Sequence, residues 1–197
     1  MSRLRAAIFD LDGVVRHFDR AGAARIAQRH GVTLHDMLAA AFEDGALHAL
    51  ITGKVRRGEW VEAVGRKVGS PAAVREWLSD IGTVDPAVMD LVHALRRRGV
   101  LVGILTNGTD TIDRELRHLG IHADFDRVVS TWHVGYAKPH RNAYLAACSA
   151  LGVRLEEAFF TDDREVNVLA ASELGMTAHP FVDAEHLEHA LVRAFRR

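Results

Sequence analysis

The sequence predicts an α/β fold in which a doubly wound parallel sheet carries a small α-helical subdomain. Four short apolar runs of strand-forming residues lie at 6–10, 100–106, 127–130 and 158–162. Helical patterns separate the later runs, and strands that alternate with helices are typical of a parallel sheet covered on both faces. The long stretch at 16–84 departs from this alternation, because it shows helical periodicity and no convincing strand. These observations indicate one α/β core with a helical insert.

The first predicted strand, AAIFD at 6–10, is continuously apolar, as expected of a strand buried on both faces. The stretch that follows it contains four predicted helices, at 24–28, 37–42, 60–68 and 74–78. The chain therefore divides into a predicted core, residues 1–15 and 85–197, and a predicted helical cap, residues 16–84. At 197 residues the chain is long enough for one core with such an elaboration.

The helix predicted next begins after Asp85, which can cap it, with Pro86 in the first helical position and Gly99 at its end. Three further helices are predicted between or after the remaining strands, at 112–119, 143–151 and 166–174. A weaker apolar run at 176–182 is a candidate fifth strand. Because connections between neighbouring parallel strands are right-handed, these helices are expected on both faces of the sheet.

Charge and hydropathy exclude several classes of protein. The formal net charge is −1, so no basic surface predicts nucleic-acid binding. No stretch approaches the roughly 18 apolar residues of a membrane span, and the N-terminal residues lack the apolar core of a signal peptide. We therefore expect a cytoplasmic protein with a small-molecule partner, and the sequence carries no signal for its oligomeric state. The single cysteine, Cys148, lies in a predicted helix and is expected to be a core residue.

Polar motifs follow the predicted strands at the points where the strands end. They read DLDG at 10–13, TNGT at 106–109, AKPH at 137–140 and TDDREVN at 161–167. Ligands of open parallel sheets bind beyond the carboxyl ends of the strands, so these motifs are expected to meet. Taken singly, each has an ordinary explanation as a turn, a surface lysine or a helix cap. Turns alone give no reason for three acids, a threonine and a lysine to share one sheet edge.

Three of these acids predict a divalent cation. Asp10, Asp12 and Asp163 repel one another unless a hard cation such as Mg²⁺, which prefers oxygen ligands, lies among them. With that charge neutralised, Asp10 is suited to attack a phosphate and form an aspartyl-phosphate. Asp12 is suited to protonate the leaving alkoxide and later to deprotonate the attacking water.

The remaining motif residues are suited to hold the phosphoryl group. Thr106 can donate its hydroxyl, and Asn107 its amide N–H, to a phosphoryl oxygen. Lys138 can supply positive charge to the transition state. The cofactor predicted is therefore Mg²⁺, and the predicted substrate is a small phosphate ester.

The order of motifs DxDG, TNG, KP and DDxxxN resembles the haloacid dehalogenase superfamily, in its phosphatase-like branch with a helical cap after the first motif. The resemblance covers nearly the whole chain. It implies a Rossmann-like core, a hairpin-like flap after Gly13, and a hydrolase mechanism with Asp10 as nucleophile and metal ligand. It further implies that Asp12 binds Mg²⁺ through its backbone carbonyl, that Thr106 and Lys138 hold the phosphate, and that Asp163 binds the metal.

One departure from the family pattern leaves two roles open. Many relatives carry Gly-Asp followed four residues later by Asp, whereas here Asp162 replaces the Gly and Asn167 replaces the later Asp. Asp162 can serve as a partner of Lys138 or within the water shell of the metal. Asn167 can orient a ligand or water but adds no charge.

Two other enzymatic or binding roles remain open within the resemblance. The first is a metal-independent 2-haloacid dehalogenase, although by resemblance those enzymes lack the acid at position 12. The second is a non-catalytic phosphate-binding or regulatory scaffold. A response-regulator receiver is disfavoured by the order of the motifs and by the insert.

Selectivity for the leaving group is expected to come from the cap, through residues such as Arg16, His17, Arg56, Arg57 and Trp60. For each of these alone, packing or solvent exposure is the simpler explanation. A small cap favours a small organic phosphate, with sugar phosphates among the options. His133 and His140 flank the Lys138 loop and are expected to be surface residues.

Overall fold

Seven strands are present in the computed structural model, which describes residues 3–195. They are β1 (Ala6–Phe9), β2 (Arg16–His17), β3 (Thr83–Val84), β4 (Leu101–Thr106), β5 (Arg127–Ser130), β6 (Ala158–Asp162) and β7 (Thr177–Pro180). Five of them form a parallel sheet in the order β5-β4-β1-β6-β7. The predicted parallel sheet is confirmed, and its weak fifth run is the edge strand β7. Strand order reverses at β1, which places a topological switch point at the end of that strand.

Helices cover both faces of this sheet. They are α6 (Pro86–Arg97), α7 (Ile112–His118), α8 (Thr131–Val134), α9 (Arg141–Leu151), α10 (Glu165–Glu173) and α11 (Ala184–Phe195). Successive residues of β1 point to opposite faces. Ala7 and Phe9 belong to the apolar cluster under α6, α7 and α11, and Ile8 belongs to the cluster under α9 and α10. The fully apolar sequence of β1 follows from this burial on two sides.

The start of α6 follows the capping chemistry expected from the sequence. The Asp85 carboxylate accepts hydrogen bonds from the backbone N–H groups of Ala87 and Val88, at 2.9 and 3.1 Å. Pro86 occupies the first turn, where its missing N–H costs nothing. This N-terminal helix cap lies directly after β3, where the chain leaves residues 16–84.

Residues 16–84 contain five helices, α1 (Arg20–Arg29), α2 (Leu34–Ala41), α3 (Asp44–Ile51), α4 (Arg57–Val68) and α5 (Pro71–Trp77). They bury two apolar clusters of their own, centred on Trp60 and on Met37. α3 was not among the four helices predicted for this stretch.

The expectation that 16–84 holds no strand was wrong at both ends of this stretch. Arg16 and His17 pair antiparallel with Val84 and Thr83, so β2 and β3 hold the two ends of the insert together. Two residues are too few to show the alternation by which a strand is recognised in a sequence.

Within residues 3–195, no helix combines the length and apolar character needed to cross a membrane.

Candidate active site

The predicted site residues meet at the carboxyl edge of the sheet. Asp10 directly follows β1, Thr106 ends β4, and Asp162 ends β6, with Asp163 next in the chain. Lys138 lies in the loop between α8 and α9. Because β1 lies between β4 and β6, their polar ends become neighbours although they are distant in sequence.

Lys138 joins the first and last motifs. Its ammonium lies 2.8 Å from Asp10 Oδ1 and 2.6 Å from Asp162 Oδ2. The lysine side chain is 1% exposed, so this charge is compensated by carboxylates and not by water. A buried ion pair of this kind is stable only when its other hydrogen-bonding positions are also filled.

Asp162 meets that requirement. Its Oδ1 accepts from the Arg164 backbone N–H and from Asn167 Nδ2, both at 2.9 Å, while Oδ2 accepts from Lys138 and, at 3.0 Å, from Asn167 Nδ2. A carboxylate has about four acceptor positions, and here four contacts use them. Asp162 is therefore best described as the residue that holds Lys138, and Asn167 as the residue that holds Asp162.

Asp10 and Asp163 form the part of the cluster best suited to a cation. One carboxylate oxygen each from Asp10, Asp162 and Asp163 lie within 4.8 Å of one another. Burial raises the pKa of Asp10 to about 7, Lys138 opposes the rise, and the charge of Asp162 adds to it. Burial, followed by the charge of Asp162, also raises the pKa of Asp163. One lysine does not compensate the negative charge of three neighbouring carboxylates, and a hard divalent cation would add the missing positive charge.

Gly13 gives the first motif its close approach to Asp163. Its φ of +92° lies in the region that favours glycine, and a Cβ at this position would lie 2.4 Å from Asp163 Oδ2. The turn is closed by hydrogen bonds from Gly13 N–H to Arg16 O and from Arg16 N–H to Leu11 O, each 2.8 Å. The donor set and this narrow cradle fit Mg²⁺, which would be held by Asp10 and Asp163.

The Asp12 carboxylate is not part of that acidic group. Its Oδ1 accepts a hydrogen bond of 2.7 Å from Arg16 Nε, and its side chain is 45% exposed. Arg16, which is 2% exposed, also donates to Glu115 Oε2 at 2.8 Å and to the carbonyl of Ile81 at 3.3 Å. Two carboxylates therefore compensate one buried guanidinium beside the site.

Glu115 was not predicted from the sequence. It lies on α7, 99 residues from Arg16 in the chain, and accepts a further 2.6 Å hydrogen bond from the Thr111 hydroxyl. The only sequence signal was an acid at an otherwise buried position of an amphipathic helix. Arg16 is one of the cap residues for which packing was the simpler explanation, and its three hydrogen-bond partners all lie within the protein.

Thr106 and Asn107 lie at the end of β4, as predicted. Thr106 is 1% exposed. The Asn107 carboxamide is committed to the Lys138 loop, since its Oδ1 accepts from Lys138 N–H at 2.8 Å and its Nδ2 donates to Lys138 O at 3.1 Å. The side chain of Asn107 therefore fixes the position of the lysine.

The other predicted cap and loop residues take varied positions. Arg57 donates to Leu78 O at 2.6 Å, His17 contacts Asp85 at 3.2 Å, and Arg56 is exposed at the start of α4. His133 and His140 are exposed, as expected, and His140 stacks on Tyr136 with ring centroids 4.5 Å apart.

A cavity of about 580 Å³ begins beside Asp12 and extends beneath the helices of the insert. Asn107, Gly108 and Thr109 form its wall on the sheet side. Arg16, Arg57 and Trp60, three of the five cap residues named from the sequence, also line it. The cavity thus opens on the acid that was predicted to serve the leaving group.

Comparison with known proteins places the chain in a family. The haloacid dehalogenase-like hydrolase model matches residues 4–175. The validoxylamine A 7'-phosphate phosphatase of Streptomyces hygroscopicus subsp. limoneus is 31% identical, over 94% of this chain and 91% of its own. Haloacetate dehalogenase H-2 of a Moraxella species is 32% identical, over 46% of this chain and 41% of its own.

Solved structures share the fold. A HAD family enzyme of Bacteroides thetaiotaomicron, in complex with magnesium and inorganic phosphate, aligns with a TM-score of 0.77 and 22% identity, over 93% of this chain and 98% of its own. The family match over most of the chain agrees with the strand-end motifs and with the parallel sheet. This protein belongs to the haloacid dehalogenase-like hydrolase family.

Proposed function

We propose that the protein is a Mg²⁺-dependent phosphohydrolase that cleaves a small organic phosphate monoester through an aspartyl-phosphate at Asp10. The observation that carries the proposal is the pairing of Asp10 with Lys138 at 2.8 Å, with Asp163 close by and Asp12 facing a cavity. A phosphatase that aligns with 94% of the chain supports it. We further propose that residues 16–84 act as a cap over the core formed by 1–15 and 85–197.

In this mechanism the first step transfers the phosphoryl group to the protein. The Asp10 carboxylate attacks phosphorus, the ester bond breaks, and Asp12 gives a proton to the departing alkoxide. Lys138 and the Thr106 hydroxyl stabilise the negative charge on the phosphoryl oxygens. Bound Mg²⁺ would neutralise the carboxylates that otherwise repel the phosphate. Water, deprotonated by Asp12, then hydrolyses the aspartyl-phosphate.

The position of Asp12 supports phosphate over halide as the leaving group. Departure of an alkoxide requires a proton donor, whereas halide leaves without one. Asp12 lines the cavity and is partly exposed, so its carboxylate has access to a leaving group. A dehalogenase would have no use for an acid in this position.

The proposal is tested by measuring inorganic phosphate released from an aryl phosphate, with Mg²⁺ and with EDTA, by the wild type and Asp10→Asn. We expect metal-dependent release that falls by about 1,000-fold or more in Asp10→Asn, because loss of a nucleophile removes the covalent path. Asp90→Asn, an exposed position on α6, is the matched control. Halide release from 2-haloacids in EDTA, or ligand-induced thermal shifts with no turnover of either substrate, would favour the dehalogenase or the scaffold instead.

A further inference from the structure

Resting on the proposed function, we propose that the cavity beside Asp12 takes an apolar leaving group, so that the substrates are alkyl or aryl phosphates and not sugar phosphates. Asp12 is the acid that would serve the leaving group, and the cavity extends from it under the cap. Whatever is bonded to the ester oxygen therefore lies in this cavity during reaction.

Much of the cap side of the cavity is apolar. Apolar side chains line it from α2, α3, α4 and the segment between α2 and α3, among them Leu34, Leu38, Phe42, Leu47, Leu50 and Trp60. Two aromatic rings extend this surface outward, because Phe18 and Phe42 are 48% and 57% exposed although both line the cavity. Exposed aromatic side chains that are continuous with an apolar cavity are typical of a surface that receives an apolar ligand.

Most charged side chains that line the cavity already have partners within the protein, and the exception among the described residues is Arg20, which is exposed at the start of α1. Arg16 is held by Asp12, Glu115 and the Ile81 carbonyl, and Arg57 donates to the Leu78 carbonyl. A sugar bound here would bury hydroxyl groups against leucine and phenylalanine without partners, and buried polar groups without partners are strongly disfavoured. An alkyl or aryl group loses no hydrogen bonds on entering the same space.

Among the residues that line the cavity, one buried polar side-chain atom has no hydrogen-bond partner within residues 3–195. The indole Nε1 of Trp60 is buried without a hydrogen bond, and Trp60 lines the cavity. An acceptor such as an ether oxygen within an otherwise apolar leaving group would satisfy it. This single donor serves one acceptor only, so it does not favour a polyol, whose many hydroxyls need many partners.

The test compares kcat/KM for n-alkyl phosphates from ethyl to octyl with that for glucose 6-phosphate, in Mg²⁺. We expect kcat/KM to rise about threefold for each added methylene until the cavity is filled, as burial of apolar surface predicts. Hexyl phosphate, which matches glucose 6-phosphate in carbon number, should exceed it by about tenfold or more. A preference for glucose 6-phosphate, or a flat series, would overturn the inference.

Phe42→Ser tests the cavity wall directly, and its half-exposed position makes misfolding of this variant less of a concern than at a buried one. It should flatten the dependence on chain length, as should Leu38→Asn. Leu145→Asn, a partly exposed leucine on α9 outside the cavity, should leave that dependence unchanged. Unchanged slopes in both cavity variants would count against the inference.

The two proposals fail in different ways. Phosphate release that depends on Asp10 but not on chain length would support the proposed phosphatase activity and contradict the proposed apolar leaving group. Absence of Asp10-dependent release from every phosphate in the series would contradict both proposals.

Discussion

At the scale of residues, one part of the site was predictable from the sequence and another part was not. Asp10 and Asp163 could be named from the sequence because each directly follows a strand, and parallel strands bring their ends together. Lys138 was named as well, although α8 separates it from the end of β5. The contact between Arg16 and Glu115 could not be named, because it joins residues 99 positions apart through side chains alone. Sequence periodicity reports which face of a helix is buried but not which distant charge meets it.

The Arg16 ion pairs are expected to be important for stability. Arg16→Met leaves Glu115 buried without its cation, which should cost about 3–5 kcal/mol of unfolding free energy. In a chain of this length that corresponds to a melting temperature lower by about 10 °C. Thermal unfolding of the variant measures this loss.

Two comparisons make the measurement specific. Arg16→Met combined with Glu115→Leu should recover much of the loss, because both buried charges are then removed. Arg25→Met, which breaks an exposed pair with Asp19, should change the free energy by no more than about 1 kcal/mol. A double variant as unstable as the single one would contradict this account.

Glu115 should also make stability depend on pH. Burial opposes its ionisation, but hydrogen bonds from Thr111 and Arg16 outweigh burial and lower the pKa below the ordinary 4.5. Because the folded pKa is the lower one, its stabilisation is present above about pH 4.5 and is lost as pH falls through the folded pKa. Urea unfolding between pH 7 and 3 measures the difference in unfolding free energy between the wild type and Glu115→Gln. This difference should become smaller below pH 4.5.

The control for this titration is Glu62→Gln, at an exposed ion pair with Arg75. The unfolding free energy of this variant should differ little from that of the wild type at every pH, since exposed ion pairs contribute little to stability. If the difference in unfolding free energy between the wild type and Glu115→Gln stays constant down to pH 3, Glu115 acts only through packing.

At the scale of elements, strands and helices with strong patterns were predictable. The apolar runs of the sheet and the cap at Asp85 correspond to single local rules, and both are present. Among the elements that were missed are α3 and the two short strands β2 and β3. β2 and β3 exist because residues 16–17 and 83–84 are brought together by the folded insert, and neither segment has a strand pattern of its own.

The Asp85 cap should contribute measurably to stability. Asp85→Ala removes the acceptor of two backbone N–H groups at the start of α6, and such losses cost about 0.5–2 kcal/mol. Asp85→Asn keeps an oxygen that can accept these bonds, so most of the stability should remain. Urea unfolding of the two variants compares them, and equal losses would indicate that the His17 contact, and not the cap, is responsible.

At the scale of the whole molecule, cation binding should couple to global stability. A ligand that binds only the folded state adds about 2.7 kcal/mol at 100 times its Kd, which would raise the melting temperature by about 5–10 °C. We expect this rise with Mg²⁺ and its reversal by EDTA. Asp163→Ala should abolish it, whereas Asp90→Ala, at an exposed position on α6, should retain it. A rise that survives Asp163→Ala would place the cation elsewhere.

The pairing of β2 with β3 has a consequence for how such a protein diversifies. The chain enters the stretch of five helices at residues 16–17 and leaves it at 83–84, and these two points are hydrogen-bonded neighbours. The two covalent connections between these helices and the rest of the chain therefore lie side by side. If residues 16–84 act as the proposed cap, we expect that insertions or deletions within these helices can alter the cavity wall while the two connections to the remaining chain stay in place.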